Sequence, residues 1–180
     1  MKKLDRWQRE TDLDRKIWTL WDEGVCPLCE DLSVGGIFTD AVPVFEDDLF
    51  LVTAATKAVN PGETFLTYKP HRPDMSTLNS SEIMVVGRMC VDLMNAVKKG
   101  LGVDKVYLVT MCDGLITHLH YTLVPRHEGD YWGITRFNQP RKFFPNAKLA
   151  AKKIGDCLRV IRATADTPET TDLADQGAQE

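Results

Sequence analysis

Between residues 117 and 130 the chain reads THLHYTLVPRHEGD, and from His118 to Leu123 polar and apolar side chains alternate one for one. A period of two describes a strand with one buried face, because successive side chains of a strand point to opposite sides. His118, His120 and Thr122 therefore share one face, in steps of roughly 6.6 Å, and Leu119, Tyr121 and Leu123 share the other. The concentration is unusual for this chain: it has four histidines, and three of them fall between positions 118 and 127. Two histidines on a half-exposed sheet face can be structural, yet a neutral imidazole there is also a nucleophile or general base near neutral pH.

The surrounding segments supply a sheet for this strand to join. VPVFEDDLFLVTA and TFLTYKP read as strands bounded by turn signals, among them Asn60-Pro61-Gly62, and DKVYLVTM reads as a further strand joined to the histidine strand by CDGLIT. Between them a long helix is expected from about Ser81 to Lys99. Asn79 and Glu82 form its N-terminal capping pair, Gly100 is its stop, and Ile83, Val86, Cys90, Leu93 and Val97 are its buried stripe. Helical periodicity also marks residues 5 to 22, with Leu13, Ile17, Leu20 and Trp21 on one stripe. It recurs in NAKLAAKKIGDCLRVIRA, capped by Asn146 with Ala150, Ile154, Cys157, Leu158 and Ile161 inward. Gly155 counts against that last helix by about 1 kcal/mol relative to alanine. The order helix, strands, helix, strands predicts an α+β domain in which helices pack on an antiparallel sheet.

With 180 residues the chain can bury a real core as one domain with appended elements. It has no run of about 18 apolar residues, and MKKLDRWQRE turns charged where a signal peptide needs its apolar core, so the expected location is cytoplasmic. The net charge of -4 traces to the last seventeen residues, which hold five acids and no base and are expected to be disordered. Residues 134 to 163 are the opposite, with eight Lys or Arg and the single acid Asp156. Neither a nucleic-acid groove nor a membrane surface is indicated, because aromatic residues do not interleave with basic ones.

Five cysteines, an odd count at irregular spacing, argue against a disulfide framework. Cys90, Cys112 and Cys157 read as small buried apolar residues. Cys26-Pro-Leu-Cys29, taken as a tight turn, can be a redox pair, half of a zinc site or two incidental thiols. A redox pair belongs at a helix start in a thioredoxin-like setting, which this stretch lacks. Zinc needs two more ligands, and His71, just past TFLTYKP, and His118 are available to complete a Cys2His2 set joining an N-terminal turn to the sheet.

HLHYTLVPR resembles the His-x-His-x-His strand of the histidine triad (HIT) family, including the Pro125-Arg126 ending. Cys26-x-x-Cys29 is similar to that family's zinc turn, VFEDDLFLV to its first long strand, and PGETFLTYKPH to the strand that closes on a histidine ahead of a long helix. The likeness covers residues 24 to about 130. It implies a HIT-like α+β domain over residues 24 to 133, a helical extension at 1 to 23, a basic extension with a helix at 134 to 165, and an acidic tail at 166 to 180. It further implies structural zinc on Cys26, Cys29, His71 and His118, and His120 as the nucleophile that attacks the α-phosphorus of a nucleotide through a nucleotidyl-histidine intermediate. A carbonyl on His120 Nδ1 would leave Nε2 with the free lone pair.

Three departures fall on substrate contacts. The third histidine is Thr122, which can donate a hydroxyl hydrogen bond but cannot carry charge. The phosphate segment ahead of the strand reads Asp113-Gly114-Leu115-Ile116, and the acid that grips ribose hydroxyls becomes Ala55. Two functions follow. One is an enzyme, a nucleotidyl hydrolase or transferase with His120 and Thr122 in catalytic roles and Thr122 and Arg126 contacting substrate. In that reading Arg126, Lys69 or the basic 134 to 163 segment supplies the missing charge. The other is a zinc-stabilised module that binds a phosphorylated ligand or protein partner without turnover. The family resemblance also implies a homodimer through the sheet edge and long helix, the alternative being that the appended terminal helices cap that edge.

Overall fold

The computed structural model describes residues 11–165. The acidic tail at 166 to 180 and the first part of the expected N-terminal helix lie outside the described residues. Helix α1 (Asp12–Asp22) starts at Thr11, whose side chain accepts from Asp14 N while the Asp14 carboxylate accepts from Thr11 N, a reciprocal cap. Its stripe is half-buried at Ile17, Leu20 and Trp21, and Leu13 is exposed. Residues after Cys26 do not form a simple turn. Cys26 is the N-cap of a short helix, α2 (Pro27–Ser33), because Pro27 at the first helical position has a φ suited to a helix and no N–H to lose.

The long stretch from Val42 to Ala54 is a hairpin, not one strand. β1 (Ala41–Glu46) and β2 (Phe50–Ala55) pair antiparallel across Asp47, whose carboxylate accepts from Leu49 N at 2.9 Å and Phe50 N at 2.7 Å and so closes the turn. Next come β3 (Lys57–Ala58), β4 (Thr64–Tyr68), the long helix α3 (Ser80–Leu101), β5 (Lys105–Val109), β6 (His120–Arg126), β7 (Lys142–Phe143) and α4 (Ala147–Ala165). Five strands make one antiparallel sheet in the order β1-β2-β4-β6-β5, and β3 pairs with β7 in a separate ribbon. The α+β reading holds: α3 and α4 pack together over one face of this sheet.

Asn79 and Glu82 form the expected capping box of α3, but Gly100 does not stop it. The helix continues to Leu101, and Gly102 ends it at φ +67°, a left-handed conformation that glycine adopts without strain. Gly100 serves packing: a Cβ there would lie 3.0 Å from Lys153 O of α4. Of the expected stripe, Val86, Cys90, Leu93 and Val97 are buried, whereas Ile83 is 45% exposed because the helix rotates it away from the core. Burial pushes the Cys90 thiol up to about 11, which keeps it an uncharged apolar filler. Cys112 and Cys157 are half-buried against the core edge.

Leu119, Tyr121 and Leu123 join Phe50, Val52, Leu66 and Leu93 in the core, so the alternation read from the sequence sets the face. Helix α4 shares that core. Ile154 and Leu158 are fully buried in it, and Ala147 and Ala151 also pack inward beside the expected positions. Gly155 is explained by proximity, since a Cβ there would sit 2.7 Å from Val44 O of β1. Gly155→Ala should therefore destabilise the protein by about 1–3 kcal/mol despite alanine's better helix propensity, because β1 must move to admit the methyl group. Urea unfolding of the two proteins measures the difference.

Candidate metal centre and histidine site

β6 begins at His120, two residues later than the sequence reading placed it, but backbone bonds hold the preceding residues to the end of β4. Leu119 N donates to Arg72 O at 2.6 Å and Tyr68 N to Leu119 O at 3.4 Å, so the segment after β4 that carries His71 is fixed beside His118. A side-chain tie reinforces it: Arg72 pairs with Glu82 at 2.6 Å at the start of α3, and Tyr68 Oη donates to the same carboxylate at 3.3 Å. These contacts hold the Glu82 carboxyl below its ordinary range, chiefly through the Asn79 backbone N–H and Arg72.

His118 is buried and has a partner on each side of its ring. Nε2 lies 2.7 Å from Tyr68 O, so it carries the hydrogen and donates. Nδ1 is left with a lone pair facing two sulfurs, 3.5 Å from Cys26 Sγ and 3.4 Å from Cys29 Sγ. His71 Nδ1 approaches Cys29 Sγ at 3.2 Å, and the two imidazoles meet edge to face at 5.2 Å. The ligand atoms of Cys26, Cys29, His71 and His118 all lie within 4.8 Å of one another. A tetrahedral ion with ordinary metal–sulfur and metal–nitrogen bonds would separate neighbouring S and N donors by about 3.6 Å, so these four residues fit one ion.

The electrostatics support the same reading. Burial pushes the His118 imidazolium down, so the ring is a neutral donor, and burial together with the neighbouring Cys26 pushes the Cys29 thiol up to about 11. Two adjacent thiols resist ionising together, and a cation between them reverses that preference. Cys26 is an N-cap and Cys29 lies in the first turn of α2, so a helix start is present after all. A thioredoxin-like βαβ unit is not, because the strands that follow are antiparallel.

His120 stands outside that set. Its Nδ1 donates to His118 O at 2.8 Å, which orients the ring and leaves the Nε2 lone pair free, while its own carbonyl accepts from Thr110 Oγ1 at 2.9 Å. The register gives its neighbours: His120 is opposite Thr67 of β4, and Thr122 is opposite Phe65 of β4 and Val109 of β5. Thr122 is on the same face as His120 and is buried. Ala55 ends β2 with its methyl group buried, and β2 pairs with β4 without a bulge, so no neighbouring carboxylate is shifted into its place.

Lys69 and Arg126 are two of the expected sources of positive charge. Lys69 is engaged by Glu46 at 2.7 Å. Arg126 lies six residues along β6 from His120, roughly 20 Å, too far to reach a phosphorus held at that imidazole. Sequence reasoning missed a residue on the opposite side: Trp21 of α1 donates from Nε1 to Ile116 O at 3.2 Å and packs where a Cβ on Gly114 would come within 2.4 Å of its ring. Helix α1 thereby holds the 113–116 segment, with Leu115 half-exposed at its tip. The glycine and tryptophan are 93 positions apart, and no local pattern links them.

No family model matches the sequence, and no curated protein matches it. Solved structures do. A hypothetical histidine triad nucleotide-binding protein from Sulfolobus tokodaii is similar with a TM-score of 0.61 and 22% identity, over 76% of this chain and 94% of that one. A zinc-bound histidine triad family protein from Mycobacterium smegmatis has a TM-score of 0.61 and 18% identity, over 77% and 96%. A HIT-like protein involved in cell-cycle regulation from Bartonella henselae, crystallised with an unknown ligand, has a TM-score of 0.54 and 23% identity, over 65% and 86%. At these identities the likeness is one of fold: the chain has the α+β fold of histidine triad proteins.

Chelation should lower the melting midpoint of metal-loaded protein, and Cys26→Ser should lower it similarly and make it insensitive to chelator. A metal held at roughly 1,000 times its dissociation constant contributes about 4 kcal/mol. Elemental analysis alongside thermal melts checks both outcomes.

Proposed function

We propose that the chain is a nucleotidyl hydrolase or transferase of the histidine triad kind, acting at the α-phosphate of a nucleotide through a covalent nucleotidyl-histidine on His120. The observation that carries this reading is the His120 ring, fixed at Nδ1 by His118 O and free at Nε2, beside a separate four-residue metal set. The Sulfolobus tokodaii and Mycobacterium smegmatis neighbours add nucleotide binding and zinc as the matching chemistry. Zinc suits two thiolates and two imidazoles in a closed set, where it acts as a staple and takes no part in the reaction.

In the first step Nε2 forms a bond to the α-phosphorus and the bond to the leaving group breaks, its electron pair going to that group. In the second step the oxygen of water, or of another acceptor, bonds to phosphorus, and the P–N bond returns its pair to Nε2. The acceptor's proton passes to solvent. Imidazole suits both steps, as a good nucleophile and a good leaving group. Thr122 serves as a neutral hydroxyl donor to a phosphoryl oxygen. That assignment favours substrates whose leaving group departs without a proton from the third triad position.

Pairing of two copies fits the same fold. β5 is an unpaired sheet edge, and α3 next to it exposes Met84 at 75% and Val91 at 54%. Val91→Glu should shift a dimer toward monomer in sedimentation velocity.

Incubation with nucleoside phosphoramidates and dinucleoside polyphosphates tests the activity. Turnover should fall to background in His120→Asn, and Thr122→Ala should lower kcat by about tenfold, the loss of one hydrogen bond of about 1.4 kcal/mol. Reactions quenched in denaturant at alkaline pH, where a P–N bond survives, should yield a nucleotidyl adduct on the His120 peptide. Equal, negligible turnover in parent and His120→Asn would instead favour a binding module, a reading that the half-exposed Leu115 at the phosphate segment supports.

A further inference from the structure

Arg136 is the most buried arginine among the described residues, at 2% exposure, and its guanidinium has no hydrogen bond or ion pair there. An arginine keeps its charge at any ordinary pH, and a buried charge without a partner is strongly unfavourable. Asp130, six residues earlier, and Glu63 of the β3–β4 turn are already committed. Asp130 accepts from Asn60 Nδ2 and His127 N, both at 2.7 Å, and buried Glu63 is paired with Arg141 at 2.6 Å.

The position of Arg136 follows from its neighbours. It ends the 3-10 turn Gly133–Arg136; Gly133 N donates to Tyr107 Oη at 3.1 Å, and the Phe137 ring meets Tyr107 at 5.4 Å. Tyr107 is opposite Val124, which lies on the His120 face of β6, so the turn covers that face roughly 13 Å along the strand from His120. Arg126 lies two residues further along the same face, and its Nε is also buried with no partner.

The unpartnered atoms of Arg136 are Nε and Nη2. These lie on one edge of the guanidinium plane and donate in parallel, the geometry that takes two oxygens of one tetrahedral oxyanion. We propose that Arg136 binds a phosphate-class oxyanion through Nε and Nη2, with Arg126 as the second cation, in a subsite separate from the phosphorus at His120. The basic 134 to 163 segment thus has one member placed for anion binding, whereas Lys152 and Arg159 are paired with Asp156 on the exposed face of α4.

The test is titration calorimetry of the full chain with inorganic phosphate, and separately with AMP, at constant ionic strength in chloride. Parent, Arg136→Met, Arg136→Lys, Arg126→Met and His120→Asn are compared, with melts in phosphate-free buffer. Arg136→Met should raise the phosphate Kd at least tenfold and melt no lower than the parent without phosphate, because it removes an uncompensated buried charge. Arg136→Lys, which keeps the charge but loses the paired edge, should also weaken binding. His120→Asn should bind phosphate like the parent, so loss of turnover and loss of this subsite are distinguishable.

AMP binding that depends on Arg136 and is tighter than phosphate identifies a nucleotide phosphate as the ligand. AMP no tighter than phosphate identifies the free ion, and either supports the subsite. No phosphate binding by the parent, an unchanged Kd in Arg136→Met, or a lower melting point of that variant in phosphate-free buffer would overturn it.

Discussion

The imidazole of His118 is the junction on which the site depends. Nε2 anchors to the Tyr68 carbonyl of β4, Nδ1 faces the two thiols of α2, and the backbone oxygen of the same residue orients His120. Three parts of the chain, the end of β4, the start of α2 and the start of β6, thus converge on one residue. This also explains why the ring must be neutral: burial disfavours its charged form, and only a neutral ring can donate on one side while offering a lone pair on the other. The candidate metal set and the orientation of the His120 imidazole are consequently coupled through a single residue.

Much of this was legible in the sequence because it rests on local periodicity. The alternation through His118 to Leu123 assigned both faces of β6, and the Asn79–Glu82 pair marked the start of α3. The four possible ligands were identifiable by residue type, and the structure brings their atoms together. What was misread depends on contacts between distant residues. Gly100 and Gly155 looked like a helix stop and a helix weakness, yet each is glycine because another backbone passes where its side chain would be. Asp47 closes a hairpin inside what read as a single strand, since its side chain replaces the backbone partners of Leu49 and Phe50. Trp21 on Gly114 and the orphaned guanidinium of Arg136 have no local signature at all.

The departures from a full histidine triad also acquire a physical context. Thr122 is buried between Phe65 and Val109, a setting that suits a small hydroxyl. A charged imidazolium in its place would be partly desolvated. The 113–116 segment is held from outside by α1, through an indole N–H to Ile116 O, and so is shaped by a residue beyond the region that resembles the family. Position along β6 separates the rest: His120 and Thr122 at one end, Arg126 and the Arg136 turn toward the other.

The placement of α4 has a consequence for biosynthesis. The four candidate metal-ligating residues, His120 and all five strands of the main sheet are encoded before residue 127, but Ile154 and Leu158 complete the core beneath them. A nascent chain halted after the sheet would hold every chemical group of the site above an open apolar trough along α3. Helix α4 contributes none of the candidate ligands and not His120, yet it closes the core that the earlier segments leave open.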